Sequence, residues 1–249
     1  MRLKLELKAD KNNFLPHGYN KYISAMIYDK IKLADDMFAQ KLHDKGYYSE
    51  QHYYKMFTFS KLKGQIINHS KDKGVLFDTN VYLYISSPII RIIEAIKKGI
   101  SLDSNVKLHN TSFKCVNIED VSEVVVKRTP IKFKTMSPIV VSTKSYTENK
   151  DKLRKLYLLP NDSDFSSVLA KNLIRKAKLL GLNVDVEQED VKVLPLGRLR
   201  TGAVDFYGGK IIYSQGYFVY YGPPELFNVG YRAGFGERNA LGFGMIEIQ

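Results

Sequence analysis

The sequence predicts an α+β protein that contains two consecutive units with the element order β-α-β-β-α-β. Short stretches in which apolar and polar residues alternate recur along the 249-residue chain, as is typical of half-buried strands. Apolar residues at helical spacing occur between these stretches, and Thr129-Pro130 interrupts the pattern near the middle of the chain. We therefore predict two tandem ferredoxin-like, RRM-like domains over residues 1–128 and 129–249.

The first unit is predicted to open with a strand and two helices. Leucines alternate with charged residues over residues 3–7, which places the leucines on one face of a strand. Apolar residues then recur at helical spacing over residues 22–34 and 37–42, and Gly46 is a suitable C-terminal cap for the second helix. The remaining predicted elements are strands over residues 53–59 and 75–86, a helix after Pro88 that ends at Gly99, and strands over residues 106–116 and 121–126.

The second unit is predicted to repeat this order. It begins with a strand over residues 131–134, and an amphipathic helix over residues 165–180 follows. The later elements are strands over residues 184–193 and 210–220, a short helix that opens at Pro223, and a final strand over residues 245–248.

The charge of the chain favours a polyanionic partner. Lys and Arg number 38 against 26 Asp and Glu, which gives a net charge of +12. Nucleic acid is the first candidate, although an ordinary basic protein could show the same excess. The 17 tyrosines and 13 phenylalanines also offer flat faces on which unpaired bases can stack.

The composition further limits the compartment and the chemistry. Cys115 is the single cysteine, so an internal disulfide is excluded and a reducing compartment is expected. The alternating N-terminus is unlike a signal peptide, and no apolar run approaches the roughly 18–20 residues of a membrane span. We expect a cytoplasmic protein without a membrane partner. Histidines and carboxylates show no metal-ligand spacing, so we expect neither a metal nor a cofactor.

A glycine-rich segment near the C-terminus is the most distinctive local feature. Four glycines occur within residues 234–244, which indicates that the backbone approaches something closely. The segment lacks the Gly-Lys-Ser or Gly-Lys-Thr ending of a triphosphate-binding loop and the context of a dinucleotide fingerprint. It could cradle an RNA backbone, or it could pack tightly against helices of the first domain. The candidate RNA-binding residues here are Gly234, Gly236, Arg238, Asn239, Gly242 and Gly244.

Two further groups of basic residues are candidates for RNA contact. Lys171, Arg175 and Lys178 lie on one face of the predicted helix over residues 165–180, where a merely solvated face is the alternative. Arg198 and Arg200 lie on one side of an extended segment bounded by glycines, and arginines there could clamp phosphates or read guanine edges.

The C-terminal segment also carries a family resemblance. The C-terminal part of the chain is similar to the signature of the Cas6 family of CRISPR repeat endoribonucleases. The similarity includes residues 229–233, which lead into the glycine-rich segment, and residues 242–246, which end the signature. Residues 27–28, 41–46 and 55–60 resemble N-terminal segments of that family in the same order. The resemblance implies two ferredoxin-like domains, recognition of CRISPR repeat RNA and cleavage of the precursor transcript into guide RNAs. It also implies that Arg198 and Arg200 lie in a hairpin that touches the repeat.

The catalytic group of the family corresponds to Tyr28, His43 and Lys55. RNA can be cut without a metal if a base removes the 2′-hydroxyl proton, an acid protonates the departing 5′-oxygen and a cation neutralises the phosphorane. His43 is predicted in the last turn of a helix, where the helix dipole favours a positive side chain and hence an acid. Lys55 would stabilise developing negative charge. The base and positioning roles stay open between Tyr28 and His43, since free tyrosine is a poor base.

Each of these residues also has an ordinary interpretation. Tyr28 could be a helix-flank aromatic residue, His43 a simple helix cap and Lys55 a solvated lysine. Only their joint occurrence with the glycine-rich segment favours catalysis. His17 and His52 lie close in sequence to the catalytic segments and could substitute or assist.

The leading hypothesis is a metal-independent endoribonuclease that leaves a 2′,3′-cyclic phosphate and a 5′-hydroxyl. One alternative is a non-catalytic RNA-binding structural subunit of a CRISPR effector complex, and a more distant one is a basic RNA chaperone. The expected partners are CRISPR repeat RNA in the precursor transcript, effector-complex proteins and a second copy of the chain in a homodimer.

Overall fold

The structure is a computed structural model, and it describes residues 1–70, 73–146, 153–206 and 209–249. The chain divides into two compact units. The first comprises residues 1–124 and 240–242, and the second comprises residues 125–239 and 243–249.

The first unit is a sheet with helices. Its elements are β1 (Arg2–Lys8), β2 (Asn13–Pro16), α1 (Asn20–Ala34), α2 (Asp36–Asp44), β3 (Tyr47–Ser49), β4 (His52–Tyr54), β5 (Thr58–Phe59), β6 (Lys63–Ser70), β7 (Gly74–Ser86), α3 (Ile90–Leu102), β8 (Asn105–Leu108) and β9 (Thr111–Val121). The antiparallel sheet has the order β2-β7-β1-β9-β8, and β5 and β6 also pair with β7. The strands β9, β1, β7 and β6, with α1 and α3, form the ferredoxin-like arrangement.

The core of this unit follows from the periodicities of β1 and α1. Leu3, Leu5 and Leu7 are completely buried, as the alternation in β1 predicts. They share one cluster with Ile23 and Ile27 of α1, which recur at helical spacing. Packing of α1 against the sheet therefore fixes the position of the α1 backbone.

Four predictions for the first unit are wrong in detail. The helix α3 continues through Gly99 to Leu102. Gly99 does not end the helix but allows close packing, because a side chain there would meet the Lys30 backbone. The strand predicted over residues 53–59 is interrupted at Met56, whose φ is 54°. The strand predicted over residues 106–116 is a hairpin of β8 and β9 that turns at His109, with φ of 57°, and residues 122–126 form no strand.

The second unit has the same architecture. Its elements are β10 (Ile131–Thr135), β11 (Val141–Tyr146), β12 (Leu153–Leu158), α4 (Phe165–Leu179), β13 (Lys192–Phe206), β14 (Gly209–Tyr221), α5 (Pro224–Ala233) and β15 (Ile246–Ile248). The antiparallel sheet order β13-β14-β10-β15, with α4 and α5, is that of a ferredoxin-like domain. The predicted α+β class with two ferredoxin-like units is thus confirmed.

The second unit also departs from the prediction at its irregular elements. The strand predicted over residues 184–193 begins only at Lys192, because a 3-10 turn, Gln188–Asp190, precedes it. The hairpin of β11 and β12 was not predicted. The core of the second unit is aromatic. The Phe133 ring stacks against the rings of Phe218 and Phe235, with centroid distances of 5.5 and 5.0 Å. Phe235 belongs to the glycine-rich segment, so that segment is anchored in the core.

Candidate functional site

Tyr28, His43 and Lys55 lie together in the first unit. The rings of Tyr28 and His43 meet edge to face, with centroids 5.1 Å apart and an interplanar angle of 81°. The Lys55 ammonium donates a hydrogen bond to the main-chain carbonyl oxygen of His43 over 2.5 Å. Three side chains from α1, α2 and the segment after β4 therefore form one cluster.

Tyr28 is held at the half-buried flank of α1. Its ring also meets the ring of buried Phe57 edge to face, with centroids 5.6 Å apart. Burial raises the pKa of the Tyr28 hydroxyl well above its ordinary value. The hydroxyl is therefore neutral at physiological pH and suited to donating a hydrogen bond rather than to acting as an ionised base.

His43 presents an exposed imidazole at the end of α2. Its Nδ1 lies 3.0 Å from the Oδ1 of Asp44, and 68% of its side chain is exposed. Because an ionised carboxylate can only accept, Nδ1 carries a proton and Nε2 is the nitrogen at which a substrate proton can be exchanged. Sequence reasoning missed this role of Asp44, although the acidic residue directly after the histidine was a visible signal.

A glycine makes room for Lys55. Gly46 follows α2 with a φ of +67°, and a Cβ there would lie 2.5 Å from the Tyr54 carbonyl oxygen and 3.0 Å from Cδ of Lys55. The Lys55 side chain thus lies in close contact with the position that the Cβ of a larger residue would occupy. Desolvation lowers the pKa of Lys55, and the negative charge of Asp44 partly opposes this shift.

His17 and His52 make contacts of their own. His17 pairs with the His69 ring at 5.5 Å between centroids, and its Nε2 lies 2.8 Å from the Ser70 carbonyl oxygen. The Nδ1 of His52 lies 2.7 Å from the Glu50 carbonyl oxygen. Neither ring contacts the Tyr28 cluster within the described part of the chain, and a catalytic role for either stays a prediction.

The four glycines of residues 234–244 are buried, and Gly236 and Gly244 closely approach the backbone of the second unit. A Cβ at Gly236, with φ of +70°, would collide with the Val140 carbonyl oxygen. A Cβ at Gly244, with φ of +82°, would collide with the Phe235 carbonyl oxygen. Gly234 and Gly242 are buried as well. The sequence predicts that the backbone of this segment approaches something closely. At Gly236 and Gly244 it approaches other backbone atoms of the same protein.

Asn239 and Lys176 hold this segment in place. The Asn239 amide donates to the carbonyl oxygens of Phe235 and Phe243 over 3.2 and 3.0 Å. The Lys176 ammonium donates to the carbonyl oxygens of Gly234 and Gly236 and to the Asn239 side chain over 2.7, 2.9 and 2.7 Å. Asn239 is thus committed to bonds inside the segment.

Lys176 is a residue that sequence reasoning missed. Only 1% of it is exposed, and burial lowers its pKa to about 7, while the charge of Glu237 acts in the opposite direction. The three oxygen acceptors also favour the ammonium form. The available signal was its position: Lys176 falls on the same face of α4 as Leu169 and Leu173, where an apolar residue is expected.

Residues 240–242 belong to the first unit, where they bind α1. The Ser24 hydroxyl donates to the Ala240 carbonyl oxygen over 2.8 Å, and the Asn20 amide donates to the Gly242 carbonyl oxygen over 3.0 Å. Asn20, Ser24 and Tyr28 follow one another at four-residue spacing, so they share one face of α1. Residues 240–242 therefore lie along the face of α1 that carries Tyr28 one turn later.

The predicted basic residues occupy the second unit. Arg198 and Arg200 are exposed on β13, where the register against β14 shifts between Leu196 and Arg200. Lys171 and Lys178 are exposed on α4, with Arg175 half-buried between them. Arg238 is half-buried with φ of 57°, and its Nε is a buried donor without a partner among the described residues.

The described residues offer neither a metal-binding cluster nor a membrane-spanning helix. No group of three or more His, Cys, Asp or Glu side chains there could hold a metal ion. No helix there is long and apolar enough to cross a membrane.

Comparisons with known proteins match both halves of the chain. Residues 14–119 match a family model described as "CRISPR-associated protein Cas6, N-terminal", and residues 120–248 match "CRISPR associated protein Cas6, C-terminal". The chain is 34% identical over 252 residues to a CRISPR-associated endoribonuclease Cas6 of Methanocaldococcus jannaschii, which covers 99% of this chain and 92% of the relative. It is 31% identical over 253 residues to a putative CRISPR-associated endoribonuclease-like protein of Pyrococcus horikoshii, with coverage of 100% and 99%.

Solved structures show the same similarity. One described as "CRISPR associated protein Cas6" has a TM-score of 0.80 and 30% identity, with 100% of this chain and 99% of the other covered. Another, described as "An RAMP protein binding different RNA substrates", has a TM-score of 0.84 and 29% identity, with the same coverage. The likeness therefore extends over both units.

Proposed function

Because the chain belongs to the Cas6 family, we propose that it is an endoribonuclease that binds CRISPR repeat RNA and cuts the precursor transcript into guide RNAs. The observation that carries this proposal is the cluster of Tyr28, His43 and Lys55, joined by a ring contact at 5.1 Å and a hydrogen bond at 2.5 Å. A hydrogen-bond donor, an imidazole and an ammonium group in one place can position the reacting groups, donate a proton and stabilise negative charge during RNA cleavage.

The reaction is an attack of the 2′-hydroxyl oxygen on the adjacent phosphorus. The bond from O2′ to phosphorus forms while the bond from phosphorus to the 5′-oxygen breaks, which leaves a 2′,3′-cyclic phosphate and a 5′-hydroxyl. His43 donates the proton from Nε2 to the departing 5′-oxygen as general acid. The 2′-hydroxyl proton passes to water, because the attacking and leaving oxygens lie on opposite sides of the phosphorus and one imidazole cannot serve both.

Tyr28 and Lys55 act on the same phosphate. Since burial raises its pKa, Tyr28 stays neutral and orients the 2′-hydroxyl or a phosphate oxygen by a hydrogen bond. Lys55 contributes positive charge to the phosphorane, and its hydrogen bond to the His43 carbonyl oxygen holds it at the end of α2. These three side chains supply acid, positioning and charge without a metal ion.

We further propose a division of labour between the predicted domains. The domain of residues 1–128 carries the cutting group, and the domain of residues 129–249 carries most of the RNA contacts. Arg198, Arg200, Arg238 and the α4 residues Lys171, Arg175 and Lys178 bind the repeat, and the buried glycines with Asn239 maintain the loop that presents Arg238. Association with effector-complex proteins and homodimer formation remain predictions.

The experiment uses repeat RNA in excess EDTA beside the same RNA with one 2′-deoxy nucleotide at the cut. We expect cleavage to persist in EDTA and to stop with the 2′-deoxy substrate, because the 2′-oxygen is the nucleophile. Loss of cutting in EDTA, or cutting of the 2′-deoxy substrate, would overturn the mechanism.

A second candidate is an RNA-binding protein that does not cut. The relative from Pyrococcus horikoshii is named only "endoribonuclease-like", and one similar structure is described as binding different RNA substrates. Tight binding of intact repeat RNA without any product after prolonged incubation would favour this candidate.

A further inference from the structure

Two exposed tyrosines lie side by side on the β3–β4 hairpin. Tyr48 and Tyr53 are directly opposite in the antiparallel pair, and their ring centroids are 4.9 Å apart at an angle of 48°. The two residues are 58% and 63% exposed. Large aromatic side chains are usually buried to a greater extent, so this pair forms an aromatic surface open to solvent.

The hairpin is anchored through its other face. Side chains alternate along a strand, and Tyr47 and Tyr54, the next opposed pair, turn the other way. Tyr54 is buried, and Tyr47 packs against the core cluster of the first unit. The hairpin therefore presents Tyr48 and Tyr53 on a fixed support.

The aromatic pair is close to the proposed cutting group. The hairpin connects α2, which ends with His43 and Asp44, to Lys55. Tyr53 lies two residues before Lys55, about 7 Å along an extended chain. Lys41 and Lys45 are exposed at the end of α2 and add positive charge next to the hairpin. An RNA strand whose phosphate is held at Lys55, as proposed above, would therefore pass beside the two rings.

We infer that Tyr48 and Tyr53 form a stacking surface for an unpaired base next to the scissile phosphate. This inference rests on the proposed function. Aromatic rings bind unpaired bases by stacking, whichever base is present, and a base in a continuous duplex cannot reach them. Stacking fixes the nucleotide, and thereby orients its sugar and phosphate for in-line attack.

The ring spacing defines the mode of stacking. A base held between two rings needs two stacking separations of about 3.4 Å each. The ring centroids are 4.9 Å apart, so a base does not fit between them. The base stacks on the outer face of one tyrosine, and the second tyrosine supports the first.

The test combines ring variants with abasic RNA. Tyr48→Leu and Tyr53→Leu remove the aromatic face but keep apolar volume, whereas Tyr48→Phe and Tyr53→Phe keep the face. Each is assayed for affinity on an uncleavable 2′-deoxy repeat and for single-turnover cleavage of the normal repeat. A parallel set of RNAs carries one abasic site at each nucleotide around the cut. Tyr221→Leu, at a residue 42% exposed on β14, is the control for loss of an exposed tyrosine.

We expect each leucine variant to lose about tenfold in affinity or cleavage rate, and the phenylalanine variants and Tyr221→Leu to match the wild type. The loss should disappear for one abasic position, because that RNA has no base left to stack. 2-Aminopurine at that position should be quenched by the wild type and not by the leucine variants.

Two results would overturn the inference while the wild type still cuts repeat RNA. The leucine variants could match the wild type on every substrate, or they could show an equal loss on all abasic RNAs, which would assign the tyrosines to hairpin stability. A wild type that neither binds nor cuts the repeat would instead overturn the proposed function, and the inference with it.

Discussion

The Lys55 ammonium is bonded to the main-chain carbonyl oxygen of His43, and not to its imidazole. The position of the lysine therefore does not depend on the identity of the side chain at position 43. Removal of the imidazole should leave the charge, the local fold and the RNA contacts in place, so the contribution of His43 to the chemistry can be measured separately.

His43→Ala should lower the single-turnover cleavage rate by about 10²–10⁴-fold and change repeat affinity little, because general acid catalysis contributes about that much. His69→Ala, at an exposed histidine that pairs with His17, is the control and should cut normally. An RNA with sulfur in place of the bridging 5′-oxygen should restore most of the His43→Ala rate, since a thiolate departs without an acid. An unrestored rate would contradict the acid role, and an equal loss of affinity would make His43 a structural residue.

The pH dependence should report Lys55. Its charged form is the one that stabilises the phosphorane, and desolvation places its pKa below the ordinary 10.5. Cleavage should therefore fall as pH rises through an alkaline range that begins below the ordinary lysine pKa. In Lys55→Arg the remaining activity should lack this decline, because arginine stays charged throughout. An identical alkaline decline in both proteins would assign the titration to another group.

Gly46→Ala should displace Lys55. An alanine Cβ would lie 3.0 Å from Cδ of Lys55 and 2.5 Å from the Tyr54 carbonyl oxygen. Gly181→Ala is a matched control, because Gly181 follows α4 with φ of +71° and a Cβ there meets nothing within 4 Å. Both variants should lose about 1 kcal/mol in the free energy of unfolding from left-handed backbone strain. Gly46→Ala should lose more than Gly181→Ala, because its Cβ also meets the Tyr54 carbonyl oxygen. Only Gly46→Ala should also lose cleavage, and similar cleavage in the two variants would show that the contact with Lys55 is unimportant.

Periodicity predicted the elements in which one face is buried along the whole length of the strand or helix. Alternating leucines gave β1, and apolar residues at helical spacing gave α1, because in both cases one face meets the core. Gly99 shows the limit of local rules: its position predicts a helix end, but the close Lys30 backbone is what requires glycine there. The interruption at Met56 has no sequence signal, since a positive φ at methionine is imposed by tertiary structure.

The candidate site was predictable to a similar extent. The family resemblance predicted Tyr28, His43 and Lys55, and these three residues lie together in the structure. Their catalytic roles stay predictions. Asp44 could have been found from its position next to His43. The close contact between Gly46 and Lys55 could not have been predicted, because it depends on how the β3–β4 hairpin returns to α2.

Arg198 and Arg200 should contribute through charge. If each neutralises one phosphate, Arg198→Ala and Arg200→Ala should weaken binding to all RNAs alike and should each lower the slope of log affinity against log salt by about 1. Arg154→Ala, at an exposed arginine on β12, should leave the slope unchanged. A loss confined to repeats with a particular guanine would instead assign that arginine to base recognition.

Lys176→Met should destabilise the second unit. The change leaves the carbonyl oxygens of Gly234 and Gly236 and the Asn239 side chain without a buried donor, which should cost about 3 kcal/mol in the free energy of unfolding. Lys171→Met, on the exposed face of the same helix, should change that free energy by less than about 0.5 kcal/mol. Denaturant unfolding of the two variants measures both free energies of unfolding. Equal stability would show that methionine packing compensates for the lost bonds, and that Lys176 is not what holds the glycine-rich segment.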